Sequence, residues 1–322
     1  MKVFVTGGNG FIGSAVVRIL VEEGHDVRCL LRPTSDLRRI DGLRFERIPG
    51  DVRDAASVQL GAEGCDGIIH LASLSNWADI RSPAMKEVVI DGSRNVLMAA
   101  RAAGDIRTVF VSSSTAIGGT TEPEIQCEDS PCTLDLDRFV YVRAKRQVEE
   151  MCLDCVETGL PVVIVNPCEV YGPNDDTLVT AGNLIDFVRS NPVVVCTGGT
   201  SVVYVDDVAM GIVRALQKGR PGQRYILGGD NLTIHGLAEL TLSIVGIKKR
   251  IVTVPNGLLR TVARVGGSLR IPLPFNPEVI PYATLFWYMC NSKAMEELGV
   301  SFRSARDTLE PTLAWLKESG RI

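Results

Sequence analysis

The chain has 322 residues, of which 45% are hydrophobic and 22% charged, and its formal net charge is −4. This composition is typical of a globular protein with a large core, and it disfavours nucleic-acid binding, which requires a basic surface to neutralise phosphates. The sequence opens directly on an apolar run, without a leader pattern, which predicts a cytoplasmic location. Its nine cysteines therefore indicate reduced thiols and not a disulfide framework.

Short apolar runs alternate with helical patterns up to residue 167. Strands are predicted at 2–6, 26–31, 43–48, 66–72, 108–114 and 161–166, and helices at 11–24, 84–103 and 138–158. Strands that alternate with helices of this length form a parallel sheet with helices on both faces. We therefore predict an α/β fold with a doubly wound parallel sheet, whose dinucleotide-binding domain covers residues 1–167.

The pattern loosens after residue 167, where prolines and glycines interrupt the apolar stretches. Examples are GPND (172–175), KGRPGQ (218–223) and LRIPLPFNP (269–277). We predict that residues 168–322 form mainly a smaller, partly interleaved C-terminal lobe that binds substrate. A segment of this half, at about 200–230, is expected to return to the main domain.

A glycine-rich turn, TGGNGFIG, joins the first predicted strand to the first helix, with Gly7, Gly10 and Gly13 spaced three apart. Glycine permits the tight turn, the close approach of backbone to a pyrophosphate and the packing of helix on strand. The helix starts at Phe11 and Ile12, and the free N–H groups of its first turn attract phosphate. The motif predicts a Rossmann-type dinucleotide site.

The residue after the second predicted strand distinguishes the two nicotinamide dinucleotides. An acidic residue there binds the ribose hydroxyls of NAD, whereas arginine accommodates the 2′-phosphate of NADP. The stretch LLRPTSD places Arg32 at this point and Asp36 four residues later. NADP(H) is therefore preferred and NAD(H) is the alternative. Asp51, after the third strand, is expected to contact the adenine, or else to cap the helix that begins near Asp54.

Ser112, Ser113 and Ser114 follow the fifth predicted strand, and YVRAK (141–145) lies on the next long helix. Residues four apart share one helix face, so Tyr141 and Lys145 can present a phenol and an ammonium to the same place. The pKa of free tyrosine is about 10, and a cation four residues away, together with the positive nicotinamide of the oxidised cofactor, favours the phenolate and lowers that pKa. A serine, a tyrosine and a lysine beside a nicotinamide form a site for carbonyl reduction.

These motifs resemble the extended short-chain dehydrogenase/reductase superfamily. LLRPTSD and SKAMEELG (292–299) are most similar to its dihydroflavonol-reductase-like group, which includes hopanoid-associated bacterial members. Further matching segments are HLAS (70–73), GSRNVLMAA (92–100), NPCEVYGP (166–173), YVDDVA (204–209) and YILGG (225–229). The resemblance implies that Ser114 is the catalytic serine, Tyr141 the acid–base and Lys145 its partner, with Ser113 replacing Ser114 if the loop is displaced by one residue.

The resemblance has further implications for the cofactor site and the assembly. It implies dinucleotide contacts beside the carboxyl ends of the strands, from Val52, Leu71, Ala72, Ser73, Lys145 and Pro167. Members of the superfamily commonly dimerise through the two long helices near 84–103 and 138–158, so a homodimer is expected.

We predict NADPH-dependent reduction of a ketone or aldehyde on a small apolar substrate bordered by Trp77, Glu169 and Tyr171. A nucleotide-sugar epimerase would use the same three catalytic residues and is the alternative. A non-catalytic NADP-binding regulator is less favoured because such proteins usually lose the tyrosine. No metal site is expected, since Asp206 and Asp207 are better explained as a helix start. The basic amphipathic stretch 256–273 is interpreted as a lobe helix, with contact to a membrane surface as the alternative.

Overall fold

The computed structural model describes residues 1–74, 80–259, 261 and 279–322. In chain order its strands are β1 (Lys2–Thr6), β2 (Asp26–Leu31), β3 (Glu46–Pro49), β4 (Gly67–His70), β5 (Arg107–Val111), β6 (Ile125–Gln126), β7 (Val162–Pro167), β8 (Glu169–Tyr171), β9 (Val193–Cys196), β10 (Gly199–Tyr204), β11 (Arg224–Leu227), β12 (Asp230–Thr233), β13 (Ile251–Val254) and β14 (Phe286–Met289). The helices are α1 (Phe11–Glu22), α2 (Ala55–Ala62), α3 (Gly92–Ala102), α4 (Val140–Glu157), α5 (Ala181–Arg189), α6 (Val205–Lys218), α7 (Ile234–Val245), α8 (Ile280–Ala283) and α9 (Ala305–Glu318).

Seven parallel strands form the main sheet in the order β3-β2-β1-β4-β5-β7-β11. The order runs outward in both directions from the β1–β4 pair, so the strand order reverses there. Ligands of doubly wound sheets bind outside the carboxyl ends of the strands at such a reversal. The predicted doubly wound α/β fold is confirmed, and its topology locates the crevice.

The alternation of side chains along β1 explains why helices cover both faces of the sheet. Val3 and Val5 pack with α1 and α6 in one core, whereas Phe4 packs with α2, α3 and α4 in another. All three side chains are fully buried. A strand buried on both faces reads as a continuous apolar run, and this is what the sequence shows.

Most of the remaining strands build the smaller lobe. The order β12-β10-β14-β6 forms one sheet, with β8 also paired to β10, and β13 pairs with β9. Helices α5, α7 and α9 pack around a separate core that includes the fully buried Tyr171. Strand β11 lies in the main sheet beside β7, and α6 packs on α1.

Two predicted elements differ from the structure near the crevice. The expected helix at 84–103 begins as a wide π-helical stretch, Met85–Asp91, before it continues as α3. The expected strand at 66–72 ends at His70, because Leu71 and Ala72 turn toward the glycine loop and donate to Thr6. Within the described residues, no helix is long and apolar enough to cross a membrane.

Candidate active site

The glycine loop makes a tight turn between β1 and α1. Gly7 has a φ of +72°, and a Cβ atom there would lie 2.7 Å from the Ala72 nitrogen. A Cβ atom on Gly13 would overlap the Gly7 carbonyl oxygen. No side chain caps the helix N-terminus, which begins at Phe11 after Gly10. The turn therefore presents bare backbone at the strand-order reversal, which suits a pyrophosphate.

Residues after β4 close the crevice beside this turn. Leu71 and Ala72 lie against Gly7, and the Ala72 N–H donates to the Thr6 hydroxyl at 3.3 Å. Ser73 Oγ is buried and has no hydrogen-bond partner within the described part of the chain. A buried polar atom normally finds a partner. The unpaired hydroxyl and the glycine cradle both fit a bound dinucleotide.

Arginines dominate the carboxyl end of β2. Arg32 is exposed just beyond the strand, while Asp36 is held by Arg38 through contacts of 2.8 and 2.6 Å. The Asp51 carboxylate accepts from Arg53 Nε at 3.0 Å, and this bond is the main reason why the pKa of Asp51 lies below its usual value. The acidic groups here are thus already neutralised by neighbours, which leaves Arg32 available to an anion.

Asp51 and Val52 lie where the sequence predicted an adenine contact, beyond β3. Asp54, not Asp51, caps α2 by accepting the Ala56 N–H at 3.1 Å. The Asn95 amide on α3 donates to the Val52 carbonyl at 2.8 Å and fixes the backbone there. The helix-cap interpretation of Asp51 is therefore wrong.

Tyr141 and Lys145 lie one turn apart on α4, close to the end of β5. Lys145 Nζ is 5.9 Å from the centre of the Tyr141 ring and donates to the Val111 carbonyl at 3.3 Å. Only 2% of Lys145 is exposed, which is rare for a lysine and marks a group held for its chemistry or its charge. The helix spacing thus brings the pair together at the crevice.

Burial controls the pKa values of this pair. It raises the pKa of Tyr141 to about 12, and only a hydrogen bond with Ser113 opposes the rise. It lowers the pKa of Lys145 to about 8, against the negative charge of Glu149. The expected lowering of the Tyr141 pKa by Lys145 is therefore absent in the chain alone, because desolvation of the phenol outweighs other effects.

The two candidate serines occupy different environments. Ser113 interacts with the Tyr141 phenol and also accepts from the Thr115 N–H at 3.2 Å, which caps the short turn Ser114–Ala116. Ser114 is buried, and its hydroxyl lies against the Cys168 thiol, a weak hydrogen-bonding partner. The structure thus brings both hydroxyls to the site, and the one beside Tyr141 belongs to Ser113.

A buried polar network, which the sequence patterns did not predict, lies behind Tyr141 and Lys145. The Glu149 carboxylate, one turn beyond Lys145, is fully buried and accepts from Ser112 and from the Asn166 amide at 2.7 Å. Arg224 Nε from β11 lies 2.9 Å from its other oxygen. The same Asn166 amide donates to the Ser113 carbonyl at 2.9 Å. The repeat of the four-residue spacing, Tyr141-Lys145-Glu149, was the available sequence signal.

The segment after Asn166 links this site to the lobe. Pro167 ends β7 and is buried, Cys168 meets Ser114, and Glu169 begins β8. The Glu169 carboxylate accepts from the Tyr171 hydroxyl at 2.8 Å and from the Asn183 amide at 2.9 Å. Burial raises the pKa of Glu169 despite these bonds. Glu169 keeps some exposure, whereas Tyr171 is fully buried and its hydroxyl also accepts from the Asn183 amide at 2.8 Å.

Two further predicted features need separate mention. Trp77 lies outside the described residues, as do Arg260 and 262–273 of the amphipathic stretch. Asp206 and Asp207 lie in the first turn of α6 and pair with Arg18 and Arg303. No cluster of potential metal ligands occurs among the residues that the structure describes.

The crevice at the strand-order reversal, with Tyr141 and the buried Lys145 beside it, defines a dinucleotide-dependent oxidoreductase. Comparison with known proteins gives the family: the chain belongs to the NAD dependent epimerase/dehydratase family, whose model matches residues 3–228. It is therefore an extended short-chain dehydrogenase/reductase that uses NAD(P), as its motifs predicted.

Individual relatives cover the whole chain. The chain is 32% identical to the "Putative dihydroflavonol 4-reductase" of Synechocystis sp., over 99% of this chain and 95% of the relative. It is 30% identical to "Sterol demethylase protein B" of Methylococcus capsulatus, over 100% of both chains. A solved structure described as gox2253 is similar with a TM-score of 0.87 and 32% identity, over 100% of this chain and 99% of that one.

Proposed function

We propose that the protein is an NADPH-dependent reductase of a ketone or aldehyde group on a small, largely apolar and uncharged substrate. The observation that carries the proposal is the pairing of the partly buried Tyr141 with the buried Lys145 at the crevice, beside the glycine turn. The nicotinamide would supply the hydride. The chain's own residues would supply the proton, hold the carbonyl oxygen and exclude water.

Tyr141 is proposed as the proton donor. Because burial raises its pKa to about 12, the phenol keeps its proton at neutral pH and can donate it to an alkoxide as that forms. A charged Lys145 stabilises the phenolate that remains. Glu149 keeps Lys145 charged by raising its pKa against burial, and Asn166 ties that carboxylate to the serine loop.

The two serines are assigned different roles. Ser113 already accepts from Thr115 and interacts with the phenol, so we assign it to the orientation of Tyr141. Ser114, on which the resemblance places catalysis, has a weak thiol partner among the described residues, and a substrate carbonyl can displace it. Ser114→Ala is then expected to lower kcat by about 10²-fold or more, the range for loss of one oxyanion donor. A larger loss in Ser113→Ala than in Ser114→Ala would exchange the two roles.

The preference for NADPH is proposed from the end of β2. Arg32 is exposed there, while Asp36, the nearby candidate for an NAD ribose, is engaged by Arg38. An arginine donates to a phosphate through a charge-assisted hydrogen bond, which is stronger than a neutral one. The bare backbone of the glycine turn is proposed to hold the pyrophosphate, through Gly7, Gly10, Phe11, Ile12 and Gly13. The rest of the cofactor is proposed to be lined by Asp51, Val52, Leu71, Ala72, Ser73 and Pro167.

Glu169 supports a reductase acting on an uncharged substrate over a nucleotide-sugar epimerase. Its carboxylate contacts Tyr171, Asn183 and Thr200, which are all neutral, within the described residues. A sugar diphosphate carries two negative charges, and like charges in a poorly solvated pocket repel strongly. A hydroxyl or another uncharged hydrogen-bond donor on the substrate would instead be accepted.

The homodimer expected from the resemblance is a separate proposal. We propose a homodimer through α3 and α4, since Met98 on α3 is 64% exposed and Met151 lies beside it across the groove between the helices. An isolated exposed methionine is common, whereas an apolar groove on two adjacent helices suits a second copy. Sedimentation at micromolar concentration tests this: a monomer would contradict it.

The test of the proposed function is cofactor consumption with NADPH and NADH in parallel. The carbonyl panel should contain flavonoid-like, steroid and terpenoid ketones, β-keto esters and aliphatic aldehydes, with nucleotide sugars as the epimerase arm. Tyr141→Phe serves as the blank. NADPH oxidation that depends on Tyr141 with an apolar carbonyl supports the reductase. Interconversion of a nucleotide sugar without net cofactor consumption would refute it in favour of the epimerase.

A further inference from the structure

Two cysteines outside the active site face each other across a pair of parallel strands. The register of β14 and β6 matches Tyr288 with Ile125 and Met289 with Gln126. The next position of each chain is a cysteine, Cys290 beside Cys127, and the Cys290 N–H donates to the Gln126 carbonyl at 2.9 Å. Neighbouring strands lie about 4.8 Å apart, which falls within the roughly 4.4–6.8 Å between the Cα atoms of disulfides.

The two thiols are close enough to influence each other's acidity, and both are accessible. Cys127 is exposed and Cys290 is half-buried. A turn to Ser130 fixes Cys127, whose N–H donates to the Ser130 hydroxyl at 2.9 Å, and the Cys290 thiol is hydrogen-bonded to Ser292 at 3.4 Å. Strand register, the proximity of the sulfurs and their exposure together separate this pair from the other cysteines of the chain.

The two sulfurs also differ in acidity. Hydrogen bonds to the side chain and backbone of Ser292 lower the pKa of Cys290. Burial, together with the hydrogen bond to Cys290, raises the pKa of Cys127 to about 11. A thiolate is the reactive form of cysteine, so Cys290 is the better nucleophile and Cys127 is placed to react with it second.

We propose that Cys127 and Cys290 are a redox modification site, which a peroxide converts to a reversible intramolecular disulfide. The Cys290 thiolate attacks one peroxide oxygen: an S–O bond forms, the O–O bond breaks, and hydroxide leaves as water after protonation. Cys127 then attacks the Cys290 sulfur, the S–S bond forms and the S–O bond breaks, which releases a second water. The two thiols lose two electrons and two protons, and the peroxide is reduced to two waters.

The disulfide would join the segment between the serine cluster and Tyr141 to strand β14 of the lobe. The chain between the serine cluster and Tyr141 runs through Gly119 and Thr120 to Cys127. Thr120 exchanges backbone hydrogen bonds of 3.0 and 2.8 Å with Phe286 at the start of β14, and Gly119 lies against Trp287. Oxidation would thus fasten this segment covalently to the lobe, one residue beyond the paired strands β6 and β14.

The test is peptide mapping after oxidation of the full-length reduced protein. Protein freed of reductant is treated with an equimolar amount of hydrogen peroxide, its remaining thiols are alkylated, and it is digested without reduction. We expect loss of two of the nine thiols, a cross-linked peptide containing Cys127 and Cys290, and recovery of both thiols with dithiothreitol.

Two cysteine-to-serine variants distinguish the proposed disulfide from oxidation at other cysteines. Cys127→Ser should lose the cross-link and leave Cys290 as a sulfenic acid that dimedone traps, while Cys196→Ser, which alters another half-buried cysteine, should retain the cross-link. Circular dichroism verifies that each variant is folded. Nine free thiols after oxidation, a disulfide between two chains, or the same two-thiol loss in Cys127→Ser would overturn the proposal.

Discussion

Replacement of Glu149 by glutamine tests whether the buried network behind the Tyr–Lys pair keeps Lys145 charged. The carboxylate is fully buried between two cations, Arg224 at 2.9 Å and Lys145 one helical turn earlier. Glutamine preserves the shape and one acceptor for Asn166. Its amide group, however, would bring a donor to Arg224 and leave both cations without a counter-charge.

The cost in stability follows from the burial of the partners. Removing one partner of a buried ion pair costs about 3–5 kcal/mol. Since 22% of the Arg224 side chain is exposed and water screens part of its charge, we take the lower end, ~3 kcal/mol. At about 2 °C per kcal/mol for a chain of this size, Tm should fall by roughly 6 °C.

The effect on activity has a definite sign. The pKa of Lys145 is about 8 in the free chain, so the ammonium is present below that pH and is lost as pH rises through it. Glu149 raises this pKa, and therefore Glu149→Gln should lower it. The pH profile of kcat/KM for NADPH reports groups of the free enzyme. Its alkaline limb should thus move to lower pH in the variant.

The matched control is Glu150→Gln, on the exposed side of the same helix. It removes the same charge from the chain but touches neither cation, so both Tm and the pH profile should stay as in the wild type. If Glu149→Gln leaves the alkaline limb where it was while Tm falls, the network is only structural and the reasoning on Lys145 is refuted. An unchanged Tm would contradict the assigned ion pair itself.

Three other substitutions test the remaining parts of the site. Tyr141→Phe should lower kcat by about 10²–10⁴-fold, the usual contribution of a general acid, with NADPH affinity measured by fluorescence quenching nearly unchanged; retained turnover would remove the mechanism. Arg32→Asp should shift the ratio of kcat/KM for NADPH and NADH toward NADH by roughly 10–100-fold, since a hydrogen bond to a charged group is worth about 1.5–3 kcal/mol, whereas the exposed Arg44→Asp should leave that ratio alone. Gly13→Ala should abolish cofactor binding, because its Cβ would overlap the Gly7 oxygen; Gly182→Ala, whose nearest neighbour atom is 3.9 Å away, should bind cofactor normally in the same titration.

The amino-acid pattern alone predicted the class of fold and the residues of the candidate site. Local periodicity carries this information, since a strand buried on both faces needs a continuous apolar run and a helix repeats at about 3.6 residues. The turn at Gly7–Gly13 and the pair Tyr141–Lys145 depend on spacings of a few residues, which a reader of the sequence can see. Family membership followed from the same short motifs.

The surroundings of the candidate site residues are formed in the folded chain by residues that lie far apart in the sequence. Glu149 meets Arg224 across 75 positions of the chain, and no local pattern indicates that two such residues will share one buried space. The same holds for Glu169 and Asn183, on different elements of the lobe. The choice between Ser113 and Ser114 depends on which way each hydroxyl turns after β5, which the repeated serines cannot show.

The pKa of Tyr141 shows the physical reason most clearly. From the sequence, a cation four residues away implied a lowered pKa. In the folded chain burial raises it to about 12, because removal of water from the phenol penalises the charged form more than its neighbours compensate. Spacing along a helix fixes which groups are near one another, but the loss of water around them is set by the whole fold, and this loss determines their charge.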